Sequence, residues 1–178
     1  VREALAEFVG TLLLVVFGVG TAVFGIQSLG PLAVCFAFGF TLLALAYAIG
    51  PTSGCHINPA VTLGVLLRGG MDLQKAIMYW IVQFLGGIAG AAILKLMVRG
   101  FGKVEDQTGG LGTNNWGPKI SAGGAFVLEI VLTFLLVFVV LLVTGRFAAP
   151  GFAGLAIGMS LVVVHTAGVV GAVEPPAG

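Results

Sequence analysis

The feature that most constrains this chain is a short stretch, Ser53 to Gly64 (SGCHINPAVTLG), that interrupts an otherwise apolar sequence. Gly54 breaks regular structure, Asn58 is a helix-capping residue type, and Pro59 suits the first helical position, where its missing N–H costs nothing. Residues 60–67 predict a helix of about two turns, too short to cross a hydrocarbon core of ~30 Å. A half-length helix beside longer apolar segments predicts a re-entrant loop. Because non-helical backbone at membrane depth must be buried in protein or line a water-filled cavity, the stretch predicts a pore.

Composition places the whole chain in a membrane. Of its 178 residues, 58% are hydrophobic and 8% are charged, and the mean hydropathy is +1.14. These values leave little room for a water-soluble fold and predict an all-α, polytopic protein, which we expect in the cell membrane. The net charge of +1 gives no case for a nucleic-acid partner. Cys35 in a predicted span and Cys55 in the loop predict no disulfide framework.

Five apolar segments are long enough to span the bilayer, at about 4–26, 32–50, 76–98, 123–144 and 152–170. The re-entrant stretch lies between the second and the third. In the third, Gly86 and Gly90 have the spacing that permits close helix approach. The Gly-rich connector at 101–122 is predicted to be a solvated loop. Its polar residues are Lys103, Glu105, Asp106, Asn114, Asn115 and Lys119.

An internal repeat divides the chain. Residues 7–15 (EFVGTLLLV) resemble 129–137 (EIVLTFLLV), and residues 37–42 (AFGFTL) resemble 156–161 (AIGMSL). An odd number of spans separates the two copies, so they must enter the membrane from opposite sides, which is an inverted repeat. We therefore expect a first repeat at 1–100 with three spans and the half-helix, a connecting loop at 101–122, and a second repeat at 123–178.

With these motifs the chain resembles the aquaporin (major intrinsic protein) family over about 1–170. The residues that carry the resemblance are Glu7 with Thr11, the run 53–62 (SGCHINPAVT), Gln83 with Gly86 and Gly87, and 151–153 (GFA). The resemblance implies an inverted-repeat helical fold and a passive transmembrane water channel. It also implies no catalysis, no cofactor and a homotetrameric assembly.

The end of the chain departs from the family pattern. After His165 the family has a second Asn-Pro-Ala-Arg, a second half-helix and a sixth span, whereas residues 173–178 read VEPPAG. We expect an incomplete second repeat of two spans, with a tail near Glu174 that stays at the outer surface because unpaired burial of a carboxylate is costly.

The resemblance assigns Asn58, Pro59 and Ala60 to the centre of the pore. The Asn58 amide can donate a hydrogen bond to water in single file, and the half-helix N-terminus adds a positive field that opposes protons. Backbone carbonyls of the preceding segment are expected to line the pore: Gly54, Cys55, His56 and Ile57. The His56 side chain is expected to brace the loop rather than to touch the permeant.

Two further pairs have expected roles. Phe38 and His165 match the family's narrow constriction, where they leave a bore near one water wide, whereas the glycerol-conducting branch commonly has Gly at the His position. Glu7 and Glu129 are ionisable residues within spans, and such residues are functional candidates. Their repeat-related positions favour symmetric bracing of re-entrant loops over a proton relay.

Three alternatives to a water channel stay open. The first is a channel for small neutral solutes such as glycerol or ammonia; Phe38 and His165 argue against glycerol. The second is a membrane haem protein that uses His56 and His165 as axial ligands. The third is a non-conducting truncated homologue.

Overall fold

A computed structural model of the chain describes residues 1–101, 104–113 and 120–172, with side chains up to 168. Within these ranges all regular secondary structure is helical. Several polar residues discussed above lie outside the described residues, namely Lys103, Asn114, Asn115, Lys119 and Glu174.

The helices follow the order that the sequence predicts. The first span, Arg2–Leu29, consists of α1 (Arg2–Leu14), one π-helical turn (Val15–Val19) and α2 (Gly20–Leu29). The other helices are α3 (Pro31–Ser53), the short α4 (Pro59–Leu67), α5 (Leu73–Gly100), α6 (Ala122–Val143) and α7 (Ala153–Ala172). The first span, α3, α5 and α6 are long and apolar enough to cross a membrane, and the apolar part of α7, Ala153–Gly168, is shorter. The expected all-α membrane fold is confirmed.

Local sequence signals mark the helix ends. Gly30 adopts φ 79° between α2 and α3, and Pro31 occupies the first turn of α3, where no backbone N–H is needed. The Asp72 side chain caps α5 by accepting a hydrogen bond from Lys75 N at 2.7 Å. Gly54 ends α3 in the left-handed region at φ 91°. These stops leave α4 as a separate half-length helix.

Glycines bring the helices into contact. A Cβ on Gly90 of α5 would lie 2.9 Å from Leu12 O of α1, and one on Gly86 would overlap Phe8 O. The close approach expected from the Gly86–Gly90 spacing is therefore present. In the same way Gly39 of α3 faces Gly158 of α7, where a Cβ on either would lie 2.7 Å from the carbonyl oxygen of the other.

The described part of the connector, 104–113, packs against the end of the first span rather than extending freely into solvent. Gln107 N donates to Val23 O at 2.8 Å, and the Gln107 side chain donates to Phe24 O at 2.9 Å. The Gln27 backbone N–H and side chain bind Gln107 Oε1 and O at 2.9 and 3.0 Å. The expectation of a solvated loop does not include these hydrogen bonds. They join backbone and side-chain amide groups, and polar residues of this kind give no hydrophobic pattern in the sequence that would predict packing.

Asp106 fixes the turn that follows. Its carboxylate accepts hydrogen bonds from the Thr108 hydroxyl at 2.6 Å and from Leu111 N at 2.6 Å. Slight burial raises the pKa of this carboxyl, but the bonds from Thr108, Leu111 and Gly109 outweigh that effect, so the pKa lies below its usual value. The turn is therefore most stable above the usual range of Asp titration and loses this support as the pH falls through the lowered pKa.

Candidate pore

Asn58 begins the half-helix α4. Its backbone is extended, with φ −152° and ψ 123°, and its side-chain Oδ1 accepts from Ala60 N at 2.8 Å and from Val61 N at 3.4 Å. Pro59 follows in the first turn. The cap uses only the oxygen of the Asn58 amide, so the Nδ2 donors remain for other partners.

The loop before Asn58 is held by the carboxylate of Glu7. Glu7 is completely buried, and its two oxygens accept from His56 N at 2.9 Å and Ile57 N at 2.6 Å. The hydroxyl of Ser53 adds a third bond at 2.7 Å. Cys55 and Ile57 have positive φ values of 51° and 39°, which non-glycine residues rarely adopt. The carboxylate thus satisfies backbone donors that an unusual backbone conformation turns towards it, as bracing requires.

A polar cluster supports the loop from α4 and α5. Gln83 Nε2 donates to Glu7 Oε2 at 2.9 Å and to Thr62 Oγ1 at 3.0 Å. His56 Nδ1 lies 3.1 Å from the same Thr62 oxygen. The Tyr79 hydroxyl donates to Ser53 O at 2.6 Å, and the Tyr79 ring meets His56 edge-on. These contacts orient the His56 side chain within the protein, as a bracing role requires.

Phe38 of α3 and His165 of α7 come together at the other end of the site. Their rings stack with centroids 4.5 Å apart and an interplanar angle of 22°. His165 Nδ1 lies 3.0 Å from Leu161 O, which holds the imidazole in place. Stacked rings at this separation are in van der Waals contact. Nothing can pass between the two ring faces, so the open space of the site at this pair lies along the ring edges.

One cavity connects these groups. It has a volume of about 380 Å³ and is mostly apolar. Its walls include the loop, the half-helix start and the aromatic pair, that is Gly54, Cys55, His56, Ile57, Asn58, Phe38 and His165. The remaining lining residues are Leu14, Leu42, Ala46, Gly50, Val61, Leu136, Val140, Thr144, Ala153, Gly154, Ile157 and Leu161. The site is therefore a mostly apolar cavity whose walls also carry the polar groups of His56, Asn58 and His165.

Comparison with known proteins agrees with this geometry. A family model for major intrinsic proteins matches residues 1–173. The chain belongs to the major intrinsic protein family.

Relatives and solved structures extend this assignment. Aquaporin Z from Brucella melitensis is 41% identical over 169 residues, which cover 90% of this chain and 73% of that protein. Aquaporin Z from Photorhabdus laumondii is 40% identical over 172 residues, covering 92% and 74%. The aquaglyceroporin from Plasmodium falciparum matches with a TM-score of 0.79 at 25% identity and covers 95% of this chain and 71% of that one. This major intrinsic protein is a membrane channel of the aquaporin family.

In this major intrinsic protein Glu129 lies apart from the loop that Glu7 contacts. It is exposed on α6 and faces a mostly apolar groove that α4 and α6 form. Within the described residues its carboxylate accepts no hydrogen bond, so this part of the structure shows no counterpart of the Glu7 contacts. The symmetric bracing expected for Glu129 thus has no partner among the described elements.

One member of the supporting cluster escapes sequence reasoning altogether: Tyr79 is fully buried and donates to Ser53 O of the loop. Thr62, also fully buried, and Gln83 enter the sequence analysis only as motif residues of the family resemblance, with no role assigned. The available signal is a polar side chain in an apolar segment, because such a group needs a partner inside the protein.

Proposed function

We propose that the protein is a passive water channel in which water crosses in single file past Asn58. The observation that carries this proposal is the cavity of about 380 Å³ that joins the Asn58 cap to the Phe38–His165 pair. Apolar walls bind water weakly and allow it to leave, and the few polar groups replace part of its hydration. The family assignment supports a channel of this type.

Selectivity against protons is proposed to arise at the start of α4. In this proposal Asn58 Nδ2 donates to a passing water, which is supported by the fact that the cap with Ala60 N uses only Oδ1. The N-terminus of α4 adds partial positive charge at the same point. A water oriented by these two donors cannot relay a proton through that position, and the field also opposes cations.

A channel for small neutral solutes is the second candidate. The likeness to an aquaglyceroporin structure favours it. The stacked Phe38 and His165 rings argue against it, because two bulky side chains leave less room for a glycerol molecule than small ones would. We therefore favour water.

We also propose that the chain forms a homotetramer in the cell membrane. The family resemblance supports this assembly. Many large apolar side chains on the outer faces of α5 and α6 are exposed in the single chain and suit either lipid or a second subunit, for example Phe84, Ile88, Phe126 and Phe134.

The double variant Phe38→Ala with His165→Gly tests the proposed selectivity. Removal of both rings opens the narrow end, so we expect glycerol flux to rise relative to water flux in proteoliposome swelling measurements. Phe40→Ala is the matched control, since Phe40 lies on the same helix but is 53% exposed and does not line the cavity.

An unchanged water-to-glycerol ratio in the double variant would remove both residues from the filter. If liposomes that contain the unmodified protein take up water no faster than empty liposomes, the channel proposal is overturned and a non-conducting homologue is favoured.

A further inference from the structure

The first span contains one turn that is not α-helical. Val15–Val19 forms a π-helical turn between α1 and α2, and Gly18 in this turn is buried. Single π turns inside α-helices are rare and occur frequently at functional sites. Here the turn lies beside the aromatic end of the cavity.

Gly18 is in contact with the ring of Phe38. A Cβ on Gly18 would lie 2.5 Å from both Cδ1 and Cε1 of that ring and 2.8 Å from its Cγ. Non-bonded carbon atoms are attracted at about 3.5–4.0 Å and repel strongly below that. The ring of Phe38 therefore rests against bare backbone, and this position accepts no side chain unless the ring moves.

The other surroundings of Phe38 limit where the ring can go. Phe38 and His165 both line the cavity, whereas Gly18 does not, so Gly18 lies behind the ring as seen from the cavity. The backbone of α3 cannot withdraw, because the neighbouring Gly39 is packed directly against Gly158 of α7. A push from Gly18 is therefore transmitted to the ring, towards His165 and the cavity.

We propose that Gly18 is a positioning residue that sets how far the Phe38 ring projects into the water path. The proposal rests on the proposed function, since it concerns the width of the same pore. The π-helical turn then limits the width of the water path through its contact with the Phe38 ring, although the turn itself does not touch the permeant.

Gly18→Ala tests the proposal. The added Cβ requires the ring to move by ~1 Å to restore normal contact, a large fraction of the ~2.8 Å diameter of a water molecule. We expect the water permeability per protein in proteoliposomes to fall about tenfold, which corresponds to ~1.4 kcal/mol in the barrier. Gly20→Ala is the matched control, because its Cβ would lie 3.1 Å from the tip of the flexible Leu94 side chain and at ordinary contact distance, 3.8 Å, from the Phe24 ring. Its permeability should stay at the wild-type level.

A second pair of variants, made in a protein that already carries Phe38→Leu, separates an effect on the Phe38 ring from a general loss of folded protein. Phe38→Leu removes the ring, so Gly18→Ala should cost little or no water permeability when it is added to Phe38→Leu. An equal loss in both backgrounds, or wild-type permeability for Gly18→Ala alone, would overturn the proposal.

Thermal unfolding in detergent gives a second measurement that does not depend on water flux. It compares the thermal midpoints of the unmodified protein, Gly18→Ala, Phe38→Leu and the double variant. We expect the destabilisation by Gly18→Ala to shrink in the Phe38→Leu background, and equal destabilisation in both would contradict the contact. If the unmodified protein conducts no water, the proposed function fails, while this coupling still decides whether Gly18 positions Phe38.

Discussion

Glu7 is a carboxylate within an apolar helix, and its side chain has no exposed surface. It accepts four hydrogen bonds, from Ser53 Oγ, His56 N, Ile57 N and Gln83 Nε2, at distances of 2.6 to 2.9 Å. Hydrogen bonds to charged acceptors are about twice as strong as neutral ones. At the scale of single residues, this group replaces the regular backbone bonds that the loop lacks.

Glu7→Gln should therefore destabilise the protein by about 1–3 kcal/mol, because an NH₂ group replaces one acceptor oxygen and leaves a buried donor unpaired. Thermal unfolding in detergent measures this effect. Glu3→Gln is the matched control on the same helix, since Glu3 forms a partly exposed ion pair with Lys75 at 2.9 Å. The loss of such a pair costs at most ~1 kcal/mol. Equal shifts for the two variants would show that Glu7 does not hold the loop.

At the scale of elements, Asn58 has two roles at the start of the half-helix α4. Asn58 caps the helix through Oδ1 and lines the cavity, and the two uses can be separated by substitution.

Asn58→Ser retains a capping oxygen but withdraws the amide from the cavity, whereas Asn58→Ala removes both. We expect Asn58→Ser to keep the thermal midpoint and Asn58→Ala to lose about 1 kcal/mol of stability. Water flux should fall in both variants if the amide contacts the permeant. Wild-type flux in Asn58→Ser would restrict Asn58 to capping.

The sequence predicts most elements because their signals are local. Apolar length marks the spans, and Asn58 with Pro59 marks the start of α4. The π-helical turn has no such signal, since Val15–Val19 is as apolar as its neighbours and α and π turns use the same residue types. The contact of its Gly18 with the Phe38 ring joins two helices, so it forms only in the folded chain.

The candidate site likewise contains some residues that the sequence points to and some contacts that it does not. Glu7 and Asn58 stand out as polar groups in apolar surroundings, so their importance is visible in the sequence. The stacking of Phe38 on His165 joins helices from the two repeats, and the pairing of Gln27 with Gln107 joins a helix to a loop. Neither contact has a local pattern that could reveal it.

At the scale of the whole molecule, contacts between the repeats determine the relative position of the two halves. The Gly39–Gly158 contact packs α3 against α7. On α6, Leu141 O accepts a hydrogen bond from Arg68 Nη1 at 2.7 Å, so the end of the half-helix is tied to the second repeat. These contacts place the cavity within one chain, so a tetramer would contain one pore per subunit.

In the homotetramer proposed above, we expect each subunit to conduct independently. Mass measurement in mild detergent should give four times the monomer mass. A monomer at the lowest detergent concentration that keeps the protein soluble would contradict the assembly.

The π-helical turn also sets how the two ends of the first span are rotated relative to each other. Such a turn takes in about one residue more than an α turn while completing the same revolution, so the extra residue does not change the phase of the helix on either side. In this phase, the Glu7 side chain faces the re-entrant loop at one end while the Gln27 side chain faces Gln107 at the other. If Val15–Val19 wound as α-helix with the same number of residues, one end would rotate by ~100° relative to the other, and one of these side chains would turn away from its partner. The span can therefore lose one residue at this turn and keep both contacts, whereas the loss of one residue from α1 or α2 would break one of them.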